Sequence, residues 1–254
     1  LGCLAPDLGS RVGALFTERV GGVSSGPWGG VDGIMGLNVG SRVGDNAGCV
    51  RMNRSIVAQL TPAAPRWMTQ VHGTRVVSAD DVEDESLQAD AQITTTPGVV
   101  CAVQVADCLP VLIADEKGRI AAAVHAGWRS LAAGIIEETV KEMRRKCQAE
   151  ELLLKAWLGP RIGFDDFETG PEVVEAFERH FGKTPDCIKS GTEGKWHIDL
   201  AGFAKIALAS VGVQKVEDCG LSTVSDAARF YSYRRDGEHT GRHAALVWIK
   251  PEEV

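Results

Sequence analysis

Residues 98–114, GVVCAVQVADCLPVLIA, are too apolar and too rich in β-branched side chains to lie at a surface. Such a run reads as a buried strand, and a buried strand needs core on both of its faces. Its middle nevertheless holds Asp107, Cys108 and, two places on, Pro110. Val99, Cys101, Val103 and Val105 share one strand face, with Ala102 and Gln104 on the other. Proline donates no ladder hydrogen bond, so regular pairing is expected to stop or bulge near Pro110. Asp107 and Cys108 then sit where the sheet opens. Two readings stand: Cys108 fills a small core gap while Asp107 caps a turn, or both face an opening and carry chemistry.

Further strand-like runs lie at 66–77, 119–125, 152–158 and 243–249. Helical periodicity places Ala132, Ile136, Val140, Met143 and Cys147 on one face of a helix over 131–147. PEVVEAFERHF (171–181) starts with a first-turn proline and is followed by Gly182. Asp199 is the expected N-cap of a helix stopped by Gly212, and Asp45 the cap of another running to Leu60. The glycine-rich stretch 21–36 reads as a long irregular loop, and the acidic stretch 80–85 as a solvated one. Strands and helices mix without strict βαβ alternation. The expected fold is therefore α+β: a single domain over 1–254, with mixed β-sheets flanked by helices and an irregular segment at 1–12.

A net charge of −7 leaves no basic field for nucleic acid or anionic lipid, so neither is an expected partner. No run approaches the roughly 18 apolar residues of a membrane span. The first residues, LGCLAPDLGS, lack the charged and apolar regions of a secretion signal. Seven cysteines, scattered and without a CxxC, argue for reduced thiols and a cytoplasmic setting rather than a disulfide framework.

Two histidines join Cys108. In AAAVHAGWRSLAAG (121–134) a small-residue strand ends at His125, and Gly127 permits a sharp turn into a helix beginning near Ser130. The end of such a strand often hosts ligands, with Arg129 beside the helix start. In WMTQVHGTRVV (67–77), His72 precedes Gly73, where a bulge is expected. Each histidine also has a plain structural reading, as a core or half-exposed sheet residue. The separations of 36 and 17 residues mean that only tertiary folding can bring the three together. If it does, two imidazoles and a thiolate suit zinc and leave a fourth position open, the arrangement of a catalytic site.

QVHGTRV, ADCLPV and AAVHAGWRS, in this order, closely resemble the signature motifs of the YfiH-like family, also described as laccase-domain or multicopper polyphenol oxidase proteins. FTERVGGVSSGPW, LNVGSRVGDN, MNR, WLGPRIGFDDFETGPEV and FYSYRRDGEHTGRHAALVWI resemble its other blocks, so the likeness spans Phe16 to Ile249. It implies a single α+β domain with zinc on His72, Cys108 and His125. It also implies phosphorolysis of adenosine, inosine and methylthioadenosine, and deamination of adenosine. Older descriptions of the family include copper-dependent oxidation of polyphenols, and bacterial members are linked to correcting a cell-wall precursor. Ser222-Thr223 departs from the Cys-Thr pair common in the family, which puts a role for Cys219 in doubt.

Cys108, His125 and Asp107 are the candidate catalytic residues, Asp107 as a proton shuttle or as the group that orients His72 or His125. Arg19, Asn38, Arg54 and Arg129, in the matching blocks, are candidates to contact a nucleoside and phosphate. Arg234, Arg235 and Arg242 read instead as a solvated or structural loop. The H-x-E and P-C-x-x-C signature of cytidine-type deaminases is absent. Copper competes for a His₂Cys set, but only His180, His197, His239 and His243 remain for further copper sites. A metal-free cysteine hydrolase built on Cys108, His125 and Asp107, and a metal-dependent binding protein, complete the alternatives. No protein partner is evident.

Overall fold

In the computed structural model, which describes residues 2–148 and 151–252, three sheets are combined with six helices. The chain opens with β1 (Cys3–Leu4), β2 (Val12–Thr17), β3 (Val20–Ser24) and helix α1 (Ala47–Ala58). Next come β4 (Val76–Ser78), β5 (Ala91–Thr94), β6 (Val100–Val105), β7 (Leu109–Asp115) and β8 (Ala121–Ala126). Helices α2 (Trp128–Ala132) and α3 (Ile135–Cys147) lead to β9 (Leu154–Leu158) and β10 (Glu168–Thr169). Then follow α4 (Pro171–Phe181), β11 (Ile188–Ser190), β12 (Trp196–Ile198) and α5 (Leu200–Ser210). The chain finishes with β13 (Lys215–Asp218), α6 (Tyr233–Asp236) and β14 (His243–Ile249).

The largest sheet has the order β13-β9-β7-β8-β5-β4, parallel at its two outer pairs and antiparallel within. A second, fully antiparallel sheet runs β1-β2-β14-β6, and a small third one β10-β12-β11. The alternation along β7 shows how the layers stack. Val111 and Ile113 face a core shared with α3 and α5, through Ile136, Val140, Phe203 and Ala207. Leu112 and Ala114 face the other way, onto Phe16, Val103 and Val247 of the second sheet. Every residue of β7 is buried, which is why its sequence carries no polar alternation. Beyond the second sheet, Ala102 and Leu246 share a core with Leu37 and with Val57 of α1. The result is an α+β fold of mixed sheets flanked by helices. Among the described residues no helix is long and apolar enough to cross a membrane.

Several local expectations are corrected. The 98–114 run is two strands in two different sheets, and the break falls at Ala106–Cys108, where Asp107 takes a left-handed φ of 83°. Pro110 does not end the pairing: it lies inside β7, opposite His125. Its carbonyl accepts from Gly159 N–H, just past the end of β9, so its missing N–H falls where that partner strand has already stopped. The run 66–77 is mostly irregular, with single bridges at Arg66 and Thr69 before β4. The helix expected over 131–147 is two, divided at Gly134 with φ 89°. Asn46, not Asp45, caps α1, accepting from Gly48 N and Cys49 N. Asp199 caps α5 as expected, and Pro171 opens α4. Within 21–36 lies part of β3, and within 1–12 lies β1, paired with Phe16 and Thr17.

Candidate metal centre and its cavity

Because β6 belongs to one sheet and β7 to the other, the residues between them cross the gap between sheets. Cys108 stands at that crossing. His125 is placed beside it by the β7–β8 register, which sets Pro110 opposite His125. His72 arrives from the irregular loop before β4, in a left-handed conformation with φ 58°. One ligand atom from each of the three lies within 4.8 Å of the others. Cys108 Sγ is 3.8 Å from His72 Nε2, and the imidazole centroids are 4.8 Å apart. Gly127 makes this approach feasible: a β-carbon there would lie 2.8 Å from His72 Cδ2 and 3.1 Å from Cys108 Sγ.

The carboxylate that contacts the cluster is Asp90. Its Oδ1 accepts from His125 Nδ1 at 2.8 Å and from His72 N at 2.9 Å. Burial would raise its pKa, but the donors on it, His125 and Gly73 N–H foremost, hold it below the usual carboxylate range. Burial likewise opposes a Cys108 thiolate, yet the charge of His125 and hydrogen bonds from both imidazoles bring the thiol down to about 6. The same pairing, with Asp90 behind it, outweighs burial at His125 and lifts that imidazole to about 9. In the metal-free protein the pair is thus thiolate and imidazolium.

Asp107 plays neither orienting role expected of it. Its carboxylate accepts from Thr223 Oγ1 (2.5 Å), Ser232 Oγ (3.0 Å) and Arg234 N (2.6 Å), and hydrogen-bonds to neither histidine. It ties the 222–236 segment to the sheet crossing. No sequence signal distinguished Asp90, a single aspartate ahead of a short strand.

The cluster opens into a cavity of about 520 Å³. Trp128, Phe167, Ile162 and Leu200 give it an apolar wall, and Arg42, Arg129, Arg234 and Arg242 line it with positive charge. Arg129 lies over the Trp128 ring at 4.3 Å, and its guanidinium has no hydrogen-bond or ion-pair partner among the described residues. Arg242, read from sequence as a solvated or structural residue, does hold its own loop, donating from Nη1 to Thr240 O and Gly241 O, and it also forms part of this wall. Gly40 makes room for it, since a β-carbon there would sit 2.8 Å from Arg242 Cγ. Burial lowers the Arg242 pKa, partly countered by Cys108 and Asp107, but a guanidinium keeps its charge at any ordinary pH.

Three of the four residues expected to touch substrate do not line the cavity. Arg19 is spent on Gly29 O, Ala227 O and Asp236. Asn38 is fully buried and bonded to Asp45, Gly40 and Arg242 N. Arg54 holds Glu85 through both its terminal nitrogens and Val39 O through Nε. Glu85, expected in a solvated loop, is consequently fixed in the cavity wall. Arg235 is structural, capping the carbonyls of Thr223, Val224 and Phe230.

Residues 13–250 match a protein family described as multi-copper polyphenol oxidoreductase laccase. A purine nucleoside phosphorylase of Pseudomonas aeruginosa is 43% identical to this chain, with 95% of each chain covered. The purine nucleoside phosphorylase YfiH of Escherichia coli is 42% identical, with 94% of each covered. A crystal structure of a Neisseria meningitidis protein superposes with a TM-score of 0.89 at 38% identity, covering 99% of this chain and 100% of that one. For a Bacillus licheniformis YfiH the TM-score is 0.85 at 27% identity, over 94% and 93%. Fold, family match and near-complete coverage agree, and the chain belongs to the YfiH-like, laccase-domain family.

Proposed function

We propose that this chain is a zinc-dependent purine nucleoside phosphorylase that cleaves adenosine, inosine and methylthioadenosine to free base and ribose 1-phosphate, and that also deaminates adenosine to inosine. The observation that carries the reading is the convergence of His72, Cys108 and His125 on a cavity with both an apolar aromatic wall and a lining of arginine side chains. The names of the curated relatives support the purine nucleoside phosphorylase part of the reading.

The donor set fits a metal. Two imidazoles and a thiol already poised as thiolate match the preferences of zinc. Held by His72, Cys108 and His125, zinc would supply a Lewis acid at the cavity floor. The protein's own groups do the rest. Trp128 and Phe167 offer flat apolar surface to a purine. Arg129 and Arg242 place a phosphate oxygen against the ribose C1′, where the new C–O bond forms as the C1′–N9 bond breaks toward the base. Asp90 holds a proton on His125 Nδ1, so in the neutral ring Nε2 is the nitrogen left to a metal.

A multicopper oxidase is less well supported. Among the described residues, His72, Cys108 and His125 are the one His/Cys/Asp/Glu group close enough to hold a metal. His243 is committed to Thr17 O and Tyr231 N, and His180 to Glu137. One other reading has a specific observation behind it: Cys108, His125 and Asp90 follow the nucleophile–base–carboxylate logic of a cysteine hydrolase. It requires activity to survive a chelator and to fall to a thiol alkylator.

Incubation with adenosine, with and without phosphate, tests the proposal. Adenine and ribose 1-phosphate that appear only with phosphate, together with some inosine, are the expected products. Base release independent of phosphate would overturn it.

A further inference from the structure

We propose that Asp90 is the positioning residue of the metal centre: it sets the tautomer of His125 and holds the His72 loop, arranging the ligands before a metal ion arrives. The assignment rests on reading His72, Cys108 and His125 as the metal ligands.

Asp90 is fully buried immediately ahead of β5, and everything that meets its carboxylate is an N–H donor. Oδ1 accepts from His125 Nδ1 at 2.8 Å and His72 N at 2.9 Å. Oδ2 accepts from Gly73 N at 2.7 Å and Val71 N at 3.3 Å. Its backbone carbonyl takes the His125 N–H at 2.8 Å, so one residue grips both histidine segments.

Two consequences follow from this geometry. In the neutral ring a metal requires, the proton held on Nδ1 by Asp90 leaves Nε2, on the Cys108 side, as the ligand nitrogen, which is the tautomer a ligand needs. Three successive amides, Val71 to Gly73, also turn onto one carboxylate. That convergence holds His72 in a left-handed backbone conformation that its β-carbon disfavours. Val71 and His72 are exposed, so little other packing fixes this loop.

Both oxygens must accept, and only a carboxylate offers that. In Asp90→Asn the amide nitrogen has to face one side or the other. Facing His125, it donates to Nδ1 and shifts the ring proton to Nε2, blocking the ligand. Facing Gly73 and Val71, it opposes two N–H groups and releases the His72 loop. Either orientation damages the site, without altering any ligand.

The test is zinc affinity by competition with a chromophoric chelator. Asp90→Asn is expected to weaken zinc binding about 10–100-fold. Asp115→Asn is the control for general destabilisation. Asp115 is equally buried, but it serves Arg119 and Leu153 N away from the cluster. That variant is expected to lower the melting temperature and leave zinc affinity unchanged. Wild-type affinity in Asp90→Asn would overturn the assignment while leaving the metal reading intact. A wild-type protein that binds no zinc would overturn both. Should Asp90→Asn not fold, hydrogen exchange on metal-free wild type decides. Protection of the Val71, His72 and Gly73 amides is expected, and exchange at the rate of an open loop would refute prior arrangement.

Discussion

Gly127 packs against Cys108 so closely that a single methyl group on its α-carbon would stand 3.1 Å from the sulfur and 2.8 Å from the His72 ring. Backbone at that point therefore sets how near the ligands come. Gly127→Ala should push His72 and Cys108 apart, at a cost of about 1–3 kcal/mol for overpacking. The expected outcome is weakened zinc binding in a protein that still folds, read by chelator competition alongside circular dichroism.

Cys108 offers a pH signature in protein stripped of metal. Its thiol is brought down to about 6, against 9.0 for an unperturbed thiol. A depressed value means a stabilising contribution present above the unfolded pKa and lost as pH falls through about 6. His125 is lifted to about 9, so its contribution is present below 6.5 and lost as pH rises through about 9. The thiolate–imidazolium pair thus stabilises between these limits. The melting-temperature gap between metal-free wild type and Cys108→Ala should be widest there. Iodoacetamide labelling of Cys108 should be half-maximal near pH 6. Cys101 and Cys187 should stay inert, because burial pushes both thiols up.

The arginines divide into two groups that kinetics can separate. Arg129 and Arg242 line the cavity, whereas Arg19 and Arg54 are held by backbone and carboxylates behind it. A charge-assisted hydrogen bond contributes about 1.5–3 kcal/mol, so Arg129→Ala or Arg242→Ala should raise the phosphate KM by roughly 10-fold to 150-fold. Arg19→Ala should instead lower the melting temperature, with phosphate KM little changed in the folded fraction.

Asp107 should behave as a structural hub. Removing its carboxylate strands the hydroxyls of Thr223 and Ser232 and the Arg234 amide, all within 3.0 Å of it. Asp107→Ala should cost about 3 kcal/mol or more, at about 1–3 kcal/mol for each buried polar group left unmatched. Urea unfolding would measure it. Asp107→Asn should be milder, since the amide still accepts from one side.

How much of this was legible in the sequence depends on whether the cause was local. β7 could be read from PVLIAD because a strand buried on both faces must be apolar throughout. His72, Cys108 and His125 stood out because their motif blocks resemble a known family. Asp90 did not, because its partners lie 17 to 35 residues away and aspartate before a strand is common. The donors on Asp107 lie 116 to 127 residues away, so those contacts were equally hidden. Pro110 misled for a geometric reason: whether a missing N–H matters depends on where the neighbouring strand ends. That Arg242 also lines the cavity was hidden because the glycine that makes room for it, Gly40, is distant in the chain.

The most direct measurement is the metal content of three single variants, His72→Ala, Cys108→Ala and His125→Ala, purified alongside wild type. One zinc per wild-type chain is expected, with each variant losing both zinc and nucleoside phosphorolysis and the double variants faring no worse than the singles. Full zinc occupancy in any one of the three would contradict a site built from all of them.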